Sequence, residues 1–291
     1  MIYCLLIFLS CFGWLKASSV PSCKWELSIA AVFQNDARFL KEWIEFHRLV
    51  GVEHFWLYNN LSSDHFRQIL SPYISRGIVE LIDWPEKGKD LVTWNSLQCR
   101  AFVDAISRAK GKSYWVAFID TDEFLFATKK ASVADFLKDY KDCAGVSVNW
   151  RGFGTSGITK IPDRTLMIEL LYHCNTLENP WNRHTKAIVN PYFVKGCSNP
   201  HFFTFIQGLT QVSAKKVPFT GPFSPTIDLS ALRIHHYWTR DETYLYNNKI
   251  PRYETWGSDI ETVLQTANSL NVETDFTIFR FIPELKKRVY P

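Results

Sequence analysis

The sequence predicts an α/β fold in which a mostly parallel central sheet is flanked by helices. The first observation is that apolar, strand-like segments alternate with segments whose apolar residues recur at helical spacing. The second is that Leu27–Phe33 (LSIAAVF) is an almost continuous apolar run, as expected for a strand buried on both faces. The third is the length of 291 residues, which suits one large domain or one domain with a subdomain.

The predicted elements follow one another without a linker or an internal repeat. The first helix covers Ala37–Val50, because Leu40, Trp43 and Ile44 recur at helical spacing and Gly51 ends it. The next elements, in chain order, are strand His54–Tyr58, a helix that Ser62 caps and Gly77 ends, strand Ile78–Ile82, helix Trp94–Lys110, strand Tyr114–Ile119, helix Ser132–Tyr140 and strand Val146–Trp150. From residue 152 to residue 221 the chain is rich in Gly, Pro, Asn and aromatic residues, which predicts irregular structure.

The composition excludes some classes of function and favours others. Lys and Arg total 33 against 29 Asp and Glu, and this small, scattered excess argues against a nucleic-acid partner. Aromatic residues reach 15%, with 11 Trp, so some rings are available to stack on flat ligand faces. Three rings at regular helix or strand positions are expected in the core: Trp43, Phe46 and Trp115. Others fall at strand ends or in loops: Trp84, Trp150, Phe153 and Trp238.

The amino terminus carries the only long apolar run, Ile2–Leu15, followed by the small residues Ala17, Ser18 and Ser19. The run is shorter than the roughly 20 residues that span a bilayer. We expect residues 1–19 to be a secretory signal peptide or a short membrane anchor, followed by one domain at residues 25–291. This places the protein in the secretory pathway, either associated with a membrane or exported.

The seven cysteines give no metal signature. Two of them, Cys4 and Cys11, lie in the leader, and the other five contain no C-x-x-C pair. A zinc site is therefore not expected. After export the remaining cysteines allow one or two disulfides whose pairing the spacing does not fix, and free thiols are the default.

Polar residues follow several of the predicted strands. The carboxyl ends of parallel strands meet at one edge of a sheet, so the loops at residues 34–36, 59–64, 83–90 and 120–123 should share one rim. Asp120 and Asp122 follow the fourth strand as a D-x-D pair, and two such carboxylates can hold Mg²⁺ or Mn²⁺ with places left for phosphate. The alternative is that these aspartates only cap a helix or solvate a loop.

Further polar residues lie elsewhere in the chain. A neutral His235 or His236 could complete a metal site, or either could simply be buried and bonded to a backbone carbonyl. Asn60 could contact a base or ribose, accept a glycan in its N-x-S sequon, or serve only in a turn.

Trp150 could stack on a sugar and Arg151 could contact phosphate. Arg183, His184 and Lys186 form a third polar group, and Lys186 could meet a diphosphate.

These pieces together resemble glycosyltransferase family 92 and its relatives among the family-2-like GT-A enzymes. The resemblance is carried by LKEWIEFHRLVGVEHFWLYNN, LIDWP, QCRAF, YWVAFIDTDEFLF, VNWRGFGTSG, KAIVNP and HHYWTRDETYL, in that order, over roughly Ser28 to Arg252. It implies a GT-A fold with an irregular C-terminal acceptor side. It also implies transfer, with inversion, of a sugar from a UDP-sugar such as UDP-galactose to a hydroxyl of a glycan acceptor.

The resemblance also implies roles for individual residues. Asp120 and Asp122 match the D-x-D that holds Mn²⁺ or Mg²⁺ and the donor, and His236 matches the late histidine of that site, with His235 as its rival. Asn35 matches the first donor loop, although the family reads Asn-Glu where this chain has Asp36. The other donor residues are expected to be Asn60, Asp64, Trp84 and Lys186.

The acceptor side is less well defined by the resemblance. The expected acceptor-binding residues are Trp150, Arg151 and Phe153, and the candidate catalytic bases are Asp241 and Glu178. Two other classes of function remain open. One is a catalytically silent carbohydrate-binding protein of the same fold, and the other is a metal-dependent phosphotransferase that uses Asp120 as nucleophile.

Overall fold

The computed structural model describes residues 22–206 and 208–291 and confirms the α/β class. The predicted leader, with Cys4 and Cys11, lies outside the described residues. The strands are β1 (Trp25–Phe33), β2 (His54–Asn59), β3 (Val79–Asp83), β4 (Ser113–Phe118), β5 (Glu123–Ala127), β6 (Gly145–Gly152), β7 (His173–Cys174), β8 (Thr185–Val189), β9 (Val194–Asn199), β10 (Phe202–Phe205), β11 (Gln211–Val212), β12 (Leu232–His236) and β13 (Glu273–Thr274).

The helices lie mainly between the first strands and at the carboxyl end of the chain. They are α1 (Ala37–Leu49), α2 (Phe66–Ser75), α3 (Leu91–Ala109), α4 (Val133–Leu137), α5 (Met167–Leu170), α6 (Glu242–Tyr244), α7 (Ile250–Thr255), α8 (Ile260–Ser269) and α9 (Ile282–Val289). A π-helical turn, Leu245–Lys249, connects α6 to α7. Within the described ranges, none of these helices combines the length and apolar character that crossing a bilayer would require.

The central sheet is mostly parallel, as predicted. Its order is β3-β2-β1-β4-β8-β6-β12-β5, with β11 beside β6. Strands β3, β2, β1 and β4 are parallel to one another, whereas β8 runs antiparallel to both β4 and β6. Strand β12 is parallel to β6, and β5 is antiparallel to β12. The carboxyl ends of β1, β4, β6 and β12 therefore lie at the same edge of the sheet.

The apolar run of β1 buries side chains on both faces of the sheet. Leu27, Ile29 and Phe33 belong to the core that packs against α1, whereas Ala30 and Val32 belong to the core that packs against α3. Full burial of one large apolar side chain stabilises a fold by about 1.5–3 kcal/mol. The two-sided burial explains why the strand reads as a continuous apolar run. The three rings predicted for the core are fully buried: Trp43, Phe46 and Trp115.

Two helix starts differ from the prediction. Helix α2 begins at Phe66 rather than at a Ser62 cap, because the Ser62 hydroxyl instead accepts a hydrogen bond from the Asn35 backbone N–H at 2.9 Å. Helix α3 begins at Leu91, since Asp90 forms a capping box with Thr93. Strand β5, which directly follows the D-x-D, carries no alternating pattern and was not predicted.

The carboxyl-terminal part packs back onto the sheet edge. Trp238, Leu245 and Ile250 form a small apolar cluster with residues of α8. This packing fixes the π-helical turn beside the carboxyl end of β4, 127 residues away in sequence. Four cysteines outside the leader are thiols in this structure: Cys99, Cys143, Cys174 and Cys197.

Candidate active site

A cavity of about 390 Å³ opens at the sheet edge where β1, β4, β6 and β12 end. Such an edge is where open α/β sheets bind ligands. The D-x-D residues line the cavity together with two groups of aromatic rings. We call the first group of rings the histidine wall: Trp150, Trp181, His184, His201, Phe223 and His236. We call the second group the tryptophan wall: Trp94, Trp238, Tyr253 and Trp256.

Asp120 is held by two donors. Gln98 Nε2 donates to its Oδ1 at 2.9 Å, and Lys186 Nζ donates to its Oδ2 at 2.8 Å. Lys186 is only 1% exposed, and its ammonium also lies 3.8 Å from Glu123 Oε2. Burial raises the pKa of Glu123 well above its usual value, although the Lys186 charge opposes this shift. Lys186 is therefore the counter-charge of the buried Glu123 and of the partly exposed Asp120.

Asp122 lies between two groups that come from distant parts of the chain. His236 Nε2 is 3.4 Å from its Oδ1, and Lys249 Nζ donates to its Oδ2 at 3.2 Å. Burial alone would raise the pKa of Asp122, but Lys249 and His236 outweigh it and hold the pKa well below the usual value. Asp122 is therefore ionised, which is the state that a metal ligand requires.

Strand alternation decides which of two neighbouring side chains reaches the cavity. Successive strand side chains point to opposite faces, so His236 lies beside Asp122 whereas the His235 ring lies 4.2 Å from the buried ring of Phe153. The same rule applies to β6, where Trp150 lines the cavity and Arg151 points away from it to Glu273 at 2.6 Å.

Two residues expected to bind the acceptor are therefore corrected. Phe153 has no exposed surface and Arg151 is 4% exposed, so neither can contact an acceptor in this structure. Trp181, which the sequence did not single out, lines the cavity and stacks on His236 with ring centroids 5.1 Å apart. A Cβ at Gly152 would lie 2.4 Å from the Trp181 ring, which explains the glycine at the end of β6.

The candidate bases Asp241 and Glu178 also lie outside the cavity lining. Asp241 is fully buried and accepts hydrogen bonds from the backbone N–H groups of Ile161 and Tyr244 at 2.9 and 2.8 Å. Its carboxylate therefore caps α6 and holds a loop, and it cannot reach an acceptor. Glu178 is exposed and is not part of the cavity wall.

Of the expected donor residues outside the D-x-D, Asp36 and Lys186 lie closest to the site. Asp36 lines the cavity, pairs with the buried Arg240 and accepts a hydrogen bond from Thr121 at 2.6 Å. The remaining ones have structural contacts instead. The Asn35 side chain accepts a hydrogen bond from the Ser63 backbone N–H, and the Asp64 side chain accepts one from the Ala37 backbone N–H. The Asn60 side chain donates to the backbone carbonyls of Trp84 and Glu86. The ring of Trp84 packs edge-on against Tyr58.

The donor set of the site suits a divalent cation in its chemistry. Carboxylate oxygens and a neutral imidazole are ligands that Mn²⁺ accepts, and Mg²⁺ accepts the oxygens. Asp122 and His236 supply them, and the His236 Nδ1 atom is buried without a hydrogen-bond partner among the described residues. Asp120 is turned toward Lys186 instead. Accordingly, in the described part of the chain, no three His, Cys, Asp or Glu side chains are already grouped to hold a metal.

Two cavity residues carry no signal in the sequence. Lys249 and Trp181 belong to no motif, and each reaches the site only because distant segments pack together. The backbone φ angle is positive at Arg240 (51°) and at Asn35 (56°), in two loops that contribute residues to the cavity wall. Strain of this kind clusters at functional sites, but it is visible only in a structure.

Comparison with protein families gives one clear match. The family model for glycosyltransferase family 92 matches residues 26–275. Among curated proteins, a glycosyltransferase family 92 protein from Ricinus communis is 29% identical over 66% of this chain and 34% of its own length. One from Oryza sativa is 34% identical over 57% of this chain and 27% of its own length. The chain thus spans about a third of the length of these relatives.

Solved structures give only distant likenesses. Staphylococcus aureus TarS 1-349 in complex with UDP-GlcNAc is 12% identical, with a TM-score of 0.41 over 90% of this chain and 72% of that chain. Glucosyl-3-phosphoglycerate synthase from Mycobacterium tuberculosis, in complex with Mn²⁺, UDP and glucosyl-3-phosphoglycerate, is 12% identical. Its TM-score is 0.32, over 58% of each chain.

Proposed function

Because the chain belongs to glycosyltransferase family 92, we propose that it is a metal-dependent inverting glycosyltransferase. In this proposal it moves a sugar, galactose in the first instance, from a UDP-sugar to a hydroxyl of a glycan acceptor. The observation that supports the proposal best is the D-x-D in the wall of a cavity that aromatic rings also line. Carboxylates that can hold a metal ion, with lysines beside them, suit a charged diphosphate, and the rings suit the sugar joined to it.

The donor would bind across the middle of the cavity. Asp122 and His236 would hold Mn²⁺ or Mg²⁺, with Asp120 available as a further ligand once Lys186 turns toward the phosphates. A bound divalent ion supplies Lewis-acid stabilisation of the leaving diphosphate. Lys249 and Lys186 would add positive charge to the phosphates, and Gln34, Asn95 and Asp36 would offer hydrogen bonds to the base or ribose.

The acceptor would bind at the histidine wall. Trp181 and Phe223 present apolar ring surface to the cavity, and such surface stacks on the apolar face of a sugar. On this side Trp150 packs against Trp181 and His184, with ring centroids 4.9 Å apart in both pairs, so the rings are held in place. The acceptor hydroxyl and the donor sugar would thus meet between the D-x-D and the histidine wall.

We expect isothermal calorimetry to detect one UDP site per chain whose affinity Mn²⁺ increases. Replacing Lys249 by Met should weaken UDP binding about tenfold or more, because one charged hydrogen bond to the diphosphate is lost. Lys195→Met is the matched control, since Lys195 is exposed on β9 and outside the cavity wall. A folded chain that binds no UDP, with or without Mn²⁺, would contradict the proposed function.

A further inference from the structure

Every carboxylate that lines the cavity is already paired with a cation. Asp36 pairs with Arg240, Asp120 with Lys186, and Asp122 with Lys249. An inverting transfer needs a group that removes the proton of the acceptor hydroxyl. A carboxylate held by an ammonium or a guanidinium is a poor candidate, so another kind of proton acceptor is needed.

His184 presents such an acceptor on the histidine wall. Its Nδ1 lies 2.8 Å from the backbone carbonyl oxygen of Trp181. A carbonyl oxygen can only accept, so Nδ1 carries the hydrogen and Nε2 carries the lone pair. Within the described residues Nε2 has no hydrogen-bond partner, and the side chain is partly exposed to the cavity.

The surrounding contacts hold the imidazole in a fixed orientation. One face of the ring stacks on Trp150, with ring centroids 4.9 Å apart and an interplanar angle of 12°. Phe223 packs against it edge-on at 4.5 Å. The backbone is fixed as well, because the Trp150 N–H donates to the His184 carbonyl at 3.1 Å. A base held in this way loses little freedom on binding the acceptor.

The position of His184 along the chain places it near the donor. It directly precedes β8, and Lys186 follows two residues later on that strand. Lys186 is the residue whose ammonium contacts Asp120. His184 therefore lies two residues before the group that holds the first aspartate of the D-x-D, and His184 and Asp120 line the same cavity.

We propose, on the premise of the proposed function, that His184 is the general base of the transfer. The acceptor hydroxyl gives its proton to Nε2 while its oxygen forms the new bond to the anomeric carbon of the sugar. The bond from that carbon to the diphosphate oxygen breaks, and its electron pair leaves with UDP. The imidazolium then releases the proton to water, which restores the base.

The charges around His184 favour its neutral form. Burial lowers its pKa below the ordinary 6.5, the hydrogen bond to the Trp181 carbonyl opposes this shift, and His236 on β12 and the ammonium of Lys186 on β8 add to it. His201 lies 5.9 Å away, and Arg183 precedes His184 in the chain. Trp150 and Phe223 bring no titratable group. His184 is thus neutral, and able to accept a proton, at neutral pH.

The test uses hydrolysis of UDP-galactose, in which water takes the place of the acceptor, followed as UDP release from pH 5 to pH 9. We expect the rate of the unmodified chain to rise with pH through a midpoint below 6.5 and then to level off. His184→Gln should be slower by about 10²-fold or more and should lose this rise, while its affinity for UDP stays within about twofold. Retained UDP binding shows that the variant is folded.

Two comparisons make the assignment falsifiable. His201→Gln removes the neighbouring imidazole and should keep the rise with pH, and added imidazole should restore part of the rate of His184→Ala. An unchanged pH profile in His184→Gln, with UDP binding intact, would overturn the base and leave the proposed function standing. Loss of the rise in His201→Gln but not in His184→Gln would also overturn it. Absence of UDP binding in the unmodified chain would overturn the proposed function itself.

Discussion

Replacing Asp122 by Asn is expected to reduce sugar transfer from a UDP-sugar by about 10²- to 10³-fold. The amide keeps the size of the side chain but removes the charge that His236 and Lys249 face at 3.4 and 3.2 Å. A neutral amide binds a divalent ion much more weakly than a carboxylate does, so under the proposed function the leaving diphosphate would lose the stabilisation that the metal supplies. The measurement is the initial rate of UDP release at saturating Mn²⁺.

The control for this variant is Asp139→Asn, at an exposed carboxylate whose side chain is 67% accessible and far from the cavity wall. It should transfer sugar at the rate of the unmodified chain. Mn²⁺ binding, followed by electron paramagnetic resonance, should be weakened in Asp122→Asn only. Equal rates in the two variants, with both folded, would show that Asp122 does not hold the metal.

Replacing Lys186 by Met is expected to destabilise the fold by about 3–5 kcal/mol, because it leaves the buried carboxyl group of Glu123 and the partly exposed carboxylate of Asp120 without their counter-charge. The ammonium is 2.8 Å from Asp120 and 3.8 Å from Glu123, and the side chain is 1% exposed. The free energy of unfolding, from urea titration, measures this loss. Lys138→Met is the control, since that ammonium forms only an exposed pair with Asp135 and its removal should change little.

The loss in Lys186→Met should grow as pH rises. Burial already raises the pKa of Glu123 well above its usual 4.5 in the folded chain, and removing the Lys186 charge raises it further. A carboxyl group with a raised pKa in the folded state binds more protons folded than unfolded, so its contribution to stability falls as pH rises through the interval between the two pKa values. A deficit that stays constant from pH 5 to pH 9 would contradict this account of the Lys186 environment.

The sequence predicted the sheet well because the patterns that indicate its strands and helices involve residues close together in the chain. The two-sided apolar run of β1 and the helical spacing of α1 are set by neighbours a few residues apart, and both elements occur where expected. The D-x-D was visible for the same reason, because its position after an apolar strand puts it at the sheet edge. The start of α2 was missed because the Ser62 hydroxyl contacts a loop 27 residues away.

The parts of the site that depend on packing between distant segments could not be predicted in the same way. Trp150 and Phe153 lie in one aromatic motif, and only the strand register shows that one lines the cavity and the other is buried. Lys249 reaches Asp122 across 127 residues through a π-helical turn that no local pattern indicates. Asp241 was a candidate catalytic base in the sequence because its role as a helix cap depends on the fold around it.

The phosphotransferase alternative, with Asp120 as nucleophile, receives little support from the geometry. Both oxygens of Asp120 accept hydrogen bonds, one from Gln98 and one from Lys186. An attacking oxygen would have to leave one of these donors. The silent carbohydrate-binding alternative is compatible with the aromatic walls, and only a measurement of turnover separates it from an enzyme.

The most direct test of the central claim is a donor panel. UDP-galactose, UDP-glucose and UDP-GlcNAc are each incubated with the chain and a pool of free glycans, with Mn²⁺ or with EDTA, and both UDP release and glycan mass are followed. We expect one donor to give UDP and a glycan heavier by one sugar residue, in the presence of Mn²⁺ only. Binding of glycans without turnover of any donor would contradict the claim and would identify a carbohydrate-binding protein instead.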